Sequence, residues 1–182
     1  MSALGGLVYL DIETTSLRAD AGIIVAAAVS NDEVKVKFAP DPDAEKELLV
    51  WLEEELKDVS TIATWNGSDF DIPFIVTRAL IHGLDFSWLR KKNVLDLYAW
   101  CKKALLLSNY KLDYVAYVLG VSQEQGIRSV EVDVLYWRAV RGDEEAKQAI
   151  ISHCRSDVIK LKRIHDKIKY LVAARAGRKR RE

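Results

Sequence analysis

The sequence predicts an α/β fold in which a mixed β-sheet, antiparallel across its first three strands, is flanked by α-helices within a single domain. Three observations point there. Strand-like runs joined by turn residues occupy Leu7 to Phe38, a β-segment followed by a helix occupies the middle, and helical periodicity fills most of the remainder.

Leu7 to Asp11 is a short apolar strand ending on an acid. Ile23 to Val29 is a second apolar run, closed by the turn formers Ser30, Asn31 and Asp32. Val34, Val36 and Phe38 then alternate with Lys35 and Lys37, the period-two pattern of a half-solvated strand. Pro40 and Pro42 break that strand, and Asp43 is placed to cap the helix that follows. There Leu48, Leu49, Trp51 and Leu56 supply the buried stripe, with the Glu and Lys residues turned to water. Ser60 to Thr64 is β-like, and Trp65 to Ser68 is a loop. Pro73 suits the first turn of a helix running towards Ile81, with Gly83 just past its end. Val94 to Leu97 is a further short strand, Lys111 to Leu119 a helix closed by Gly120, and Asp143 to Val172 a long final helix.

The bulk numbers agree with one domain. The chain has 182 residues, with 49% hydrophobic and 30% charged, enough for a core that folds without staples. Lys and Arg total 27 and Asp and Glu total 27, so the formal net charge is +0 and bulk electrostatics do not grip nucleic acid. The balance hides a basic tail of Arg175, Arg178, Lys179, Arg180 and Arg181, which divides a domain of residues 1–174 from a flexible segment 175–182. That tail reads as a solvated terminus or as a phosphate-contacting arm. The 2 cysteines, Cys101 and Cys154, form neither a disulfide framework nor a zinc motif, and each reads as a small buried hydrophobe. Met1 to Val8 lacks the features of a signal peptide, and no apolar run reaches membrane-spanning length. A cytoplasmic location away from any membrane is the expectation.

Three acidic patterns carry the chemistry. Asp11 and Glu13 are alternate residues at a strand end, so they project from one face and repel unless a cation lies between them. A hard divalent ion such as Mg²⁺ or Mn²⁺ meets that need, although a strand-end turn also accommodates such acids. Asp71 follows Trp65-Asn66-Gly67-Ser68-Asp69-Phe70 at a helix start, where the helix dipole alone would favour it. His153 and Asp157 stand four apart on one face of the final helix, as a metal site or a simple hydrogen-bonded pair would have them. The apolar stripe of Val158, Leu161, Ile164 and Ile168 passes beside Asp157, and a carboxylate at its rim needs a partner.

In this order, the three patterns resemble the three exonuclease motifs of the DEDD (DnaQ-like) superfamily, with an RNase H-like fold. The likeness is nearest to the proofreading domain of family B DNA polymerases and to stand-alone exonucleases of that kind. Tyr110-Lys111-Leu112-Asp113-Tyr114-Val115-Ala116, Leu119-Gly120 and Asn93-Val94-Leu95-Asp96-Leu97 also look like family B segments, so the resemblance spans roughly Leu7 to Leu161. It implies that Asp11, Glu13, Asp71 and Asp157 hold two divalent cations, Mg²⁺ or Mn²⁺, and that His153 is the general base. Asn66 and Phe70 match positions near the substrate, and Asp96 is a structural or supporting acid.

One departure stands out. Family members with a histidine base have four residues between it and the last Asp, whereas those with three carry tyrosine. This chain has histidine at the tyrosine spacing, so either His153 does the tyrosine's work or the base is supplied elsewhere. His165 lies on the wrong side of Asp157, and His82 has no matching motif.

The implied activity is removal of nucleotides from the 3′ end of nucleic acid, single-stranded DNA before RNA, with release of nucleoside 5′-monophosphates. Any polymerase or repair partner would be served in trans. The alternatives are an RNase H-like or structure-specific endonuclease, and a non-catalytic nucleic-acid-binding module on the same fold.

Overall fold

The computed structural model describes residues 6–122 and 131–178. Its strands are β1 (Leu7–Thr14), β2 (Ile24–Ser30), β3 (Val34–Phe38), β4 (Thr61–Thr64) and β5 (Asn93–Asp96). Its helices are α1 (Glu45–Leu56), α2 (Asp71–Ile81), α3 (Leu97–Ala104), α4 (Leu112–Val118), α5 (Val132–Val140) and α6 (Glu144–Arg178). The strands form one sheet of order β3-β2-β1-β4-β5. The three N-terminal strands pair antiparallel, while β4 joins β1, and β5 joins β4, in parallel. The predicted mixed sheet is therefore present, with β1 at its centre. No helix among the described residues is long and apolar enough to cross a membrane.

Strand alternation divides the core into two layers. Val8, Leu10 and Ile12 of β1 face one layer with Leu48, Leu49, Leu52 and Leu56 of α1 and with Ile72, Phe74 and Ile75 of α2. Each fully buried leucine there contributes about 1.5–3 kcal/mol of apolar transfer. Tyr9 faces the opposite layer, built from α3, α4, α5 and the buried stripe Ile150, Cys154, Val158, Leu161, Ile164 and Ile168 of α6. Odd-numbered residues of β1 thus look towards α6. That parity sends Asp11 and Glu13 to the side where the last helix lies.

Three local features depart from the sequence-based expectation. Asp41, not Asp43, caps the 3-10 turn Pro42–Ala44 that leads into α1, its carboxylate accepting from the amides of Asp43 and Ala44. Glu45, read as solvent-facing, is completely buried. α6 starts one residue after Asp143, whose Oδ1 accepts the Ala146 amide at 3.0 Å. It continues through Arg178, beyond the expected helix end at Val172; residues 179–182 lie outside those described.

Candidate active site

The site begins at the end of β1. Asp11 pairs across the sheet with Ala28, and Glu13 with Ala26. Both alanines are completely buried. The register between β1 and β2 slips after Glu13, so regular pairing ends where the second acid projects.

The second contribution comes from the turn between β4 and α2. Asn66 adopts a left-handed φ of 63°, which asparagine tolerates better than most residues. At Gly67 a Cβ would lie 2.4 Å from the Thr64 Cβ, so the close return of the chain requires glycine. Asp96, at the end of β5, clamps this turn. Its Oδ1 accepts the Asn66 amide at 3.0 Å and its Oδ2 accepts the Ser68 amide at 3.1 Å. Asp96 also caps α3 through the Ala99 amide. The turn delivers Asp71 to the first residue of α2, where the backbone amides of Ile12 and of Asp71 itself donate to its carboxylate. The Ile12 amide lies between the two acids of β1, so Asp71 is fastened to the same strand edge.

The third contribution is α6. His153 is buried, with Nε2 3.6 Å from Glu13 Oε1 and Nδ1 3.7 Å from Asp157 Oδ1. One turn of helix therefore presents an imidazole between carboxylates from opposite ends of the chain.

The acids act on one another's charge. Burial, then the charges of Glu13, Asp157 and Asp71, push Asp11 well above the usual carboxylate range. Burial, then Asp157 and Asp71, does the same to Glu13, while Lys160 pulls in the opposite direction. Asp71 is raised to about 7, chiefly by burial. Cys154 Sγ and the carboxyl oxygens of Asp11 and Glu13 lie within 4.8 Å of one another. Its thiol is held protonated by burial and by the surrounding acids, and it lies 3.7 Å from the Asp11 carbonyl oxygen. Oxygen donors crowded at such mutual cost suit a hard divalent ion, whose charge removes the repulsion.

Asn66 and Phe70 sit in the second-motif turn, both partly buried, with the Phe70 ring 5.5 Å from that of Phe74 and tilted to it by 48°. The other two histidines are engaged elsewhere: Tyr9 Oη is 2.8 Å from His165 Nδ1, and His82 Nε2 is 2.7 Å from Glu45 Oε2. Sequence reasoning missed Lys160. It is 2% exposed, and its ammonium donates to Asp157 Oδ1 at 2.9 Å and to Asp113 Oδ1. A lysine inside the apolar stripe, three residues after Asp157, was the available signal. Asp113 offered none, because an acid in the first turn of α4 satisfies the helix dipole by itself.

A mixed sheet with this order, and acids converging on its central strand from a following helix and the last helix, defines a class. Residues 8–169 match the family model described as the RNase H superfamily, and the chain belongs to that family. Individual relatives are larger proteins. The chain is 30% identical over 112 residues to a DNA polymerase of Methanocaldococcus jannaschii, a match covering 51% of this chain and 7% of the polymerase. It is 29% identical over 168 residues to the uncharacterized protein YprB of Bacillus subtilis, covering 85% of this chain and 40% of YprB. The structure of the family B DNA polymerase from the hyperthermophilic archaeon Pyrobaculum calidifontis matches with a TM-score of 0.76 at 18% identity, over 89% of this chain and 24% of the polymerase. At that identity the likeness establishes the fold. The chain spans less than half the length of each of these relatives.

Proposed function

We propose that this protein is a divalent-metal-dependent 3′→5′ exonuclease that hydrolyses the terminal phosphodiester of single-stranded DNA, with RNA as a further substrate, and releases nucleoside 5′-monophosphates. The observation that carries this reading is the meeting of four carboxylates. Asp11 and Glu13 from β1, Asp71 from α2 and Asp157 from α6 approach closely enough that Asp71 and Asp157 add their repulsion to both β1 acids. The order of the motifs, and the similarity to DNA polymerases by sequence and by fold, favour nucleic acid as the substrate.

The four acids would hold two cations, Mg²⁺ or Mn²⁺. Such ions stabilise charge on a reacting phosphate and acidify water. The chain's own groups do the rest. His153, between Glu13 and Asp157, accepts the proton of the attacking water as general base. Burial keeps the imidazole oriented and bulk solvent away from the reacting atoms. Asn66 and Phe70, on the turn leading to Asp71, contact the 3′-terminal nucleotide. The aromatic ring supplies a stacking face that tolerates any base. Near-zero net charge is compatible with a phosphate substrate because the cations, not the protein surface, supply the local attraction.

The test is digestion of a 3′-labelled single-stranded oligonucleotide with Mg²⁺ or Mn²⁺, beside a covalently closed circle of the same sequence. Mononucleotide release that stops with chelator and with Asp157→Ala supports the proposal. Cleavage of the circle, or digestion by Asp157→Ala at the wild-type rate, overturns it.

A further inference from the structure

Position 160 lies among buried apolar residues of α6, between Val158 and Leu161, where an aliphatic side chain would pack at no electrostatic cost. The structure places an ammonium there instead, 2% exposed, bridging α6 to Asp113 in the first turn of α4. Its second partner is Asp157 Oδ1, at 2.9 Å. His153 Nδ1 approaches that same oxygen at 3.7 Å. One oxygen of Asp157 is therefore bonded by a buried ammonium, with the buried imidazole beyond hydrogen-bond distance on its other side, while Asp113 anchors the lysine from a separate helix.

We propose that Lys160, braced by Asp113, is a positioning residue that fixes the Asp157 carboxylate in the orientation in which it joins Asp11, Glu13 and Asp71 in holding cations. The inference rests on the metal-site reading of the four acids. An aspartate side chain on a helix has two free torsions, and a single ion-pair partner at a surface does little to confine them. A buried, doubly bonded ammonium does confine them, because moving Asp157 away would leave that charge short of a partner. The same logic applies to groups that orient metal ligands generally, whose removal costs about 10–100-fold in metal affinity or activity. A counter-charge that merely lowered the negative potential of the cluster would act oppositely. Its removal would tighten cation binding.

That opposition makes the proposal testable without relying on catalysis. Mn²⁺ is titrated by calorimetry, with bound Mn²⁺ followed by electron paramagnetic resonance, into wild type, Lys160→Met, Lys160→Arg and Asp113→Asn. Each variant is first checked for a cooperative thermal transition. Lys160→Met is expected to weaken Mn²⁺ binding by about tenfold or more, with Lys160→Arg restoring most of the loss and Asp113→Asn intermediate. On an oligonucleotide the same variant lowers kcat with KM unchanged. Unchanged or tighter Mn²⁺ binding in Lys160→Met overturns the proposal. Should that variant not fold, Asp113→Asn decides instead, and wild-type affinity there overturns it. A wild type that binds Mn²⁺ at the acids but digests no nucleic acid sinks the exonuclease reading alone. A wild type that binds none sinks both.

Discussion

Glu13 Oε1 lies 3.6 Å from His153 Nε2, joining the end of the first strand to the middle of the last helix. The contact is longer than a hydrogen bond, so the imidazole is placed but not consumed by it. The same ring reaches Asp157 through its other nitrogen. His153 thus lies beside both carboxylates, and histidine stands here at the spacing that tyrosine has in the resembled family.

His153→Ala should therefore lower kcat by about 10²–10⁴-fold, the range for loss of a positioned general base. Mn²⁺ binding should remain. His153→Tyr, which restores the residue usual at this spacing, should recover part of the rate. Steady-state kinetics on a labelled oligonucleotide decides the matter, and an alanine variant close to wild type would remove the base from His153.

The pKa of Asp71 gives a sign for the metal-free protein. Its folded value of about 7 is above the ordinary aspartate value of 3.8, so folding favours the protonated acid. The associated stability is complete below about 4 and is lost as pH rises through about 7. Chelated protein should thus lose stability across that window, and Mn²⁺ should restore it. We expect the gain in Tm on adding Mn²⁺ to grow from pH 5 to pH 7.5, reaching about 5 °C, a few kcal/mol on a domain of this size. Asp71→Asn should raise the Tm of the chelated protein at pH 7.5 and abolish most of the response to Mn²⁺. Thermal unfolding at fixed Mn²⁺ across pH tests both. A response independent of pH would count against the acid cluster as the ion site.

Arg78 and Glu45 make a second checkable pair. Glu45 is fully buried and accepts from Arg78 Nη2 at 2.6 Å, from His82 and from the Ile24 amide. Arg78 Nη1 also donates to the Ala19 carbonyl, tying down the loop that follows the β1 acids. Arg78→Met leaves a buried carboxylate short of its main counter-charge, at a cost of about 3–5 kcal/mol. A fall in Tm of about 10 °C is expected by calorimetry. A change within experimental error would show that His82 alone can hold Glu45.

Asp96 should matter without touching substrate. Asp96→Ala strips the acceptors from the amides of Asn66, Ser68 and Ala99. The turn that delivers Asp71 then loses its clamp. We expect Tm to fall by about 5 °C, at about 1–2 kcal/mol for the loss of three hydrogen bonds to a charged acceptor, two of them exposed. Mn²⁺ affinity should drop by about tenfold, as for the loss of a group that orients metal ligands. A destabilised variant with wild-type Mn²⁺ affinity would confine Asp96 to folding.

What the sequence determined alone was local and periodic. Period two put Asp11 and Glu13 on one face of β1, period 3.6 put His153 above Asp157, and three alternating or apolar runs joined by turns meant an antiparallel start. Chain order then brought the three acidic patterns within reach of one family resemblance. Only the tertiary structure decided which face of β1 meets α6, that the Ile12 amide receives Asp71, and where the buried charges Glu45 and Lys160 find their partners. Glu45 reads as a solvent-facing glutamate because its partners, Arg78 and His82, come from α2 and its C-terminal cap, and Lys160 goes unread because its partner Asp113 belongs to another helix. Burial of a charge is determined by whatever packs over it, and that information lies in distant parts of the chain.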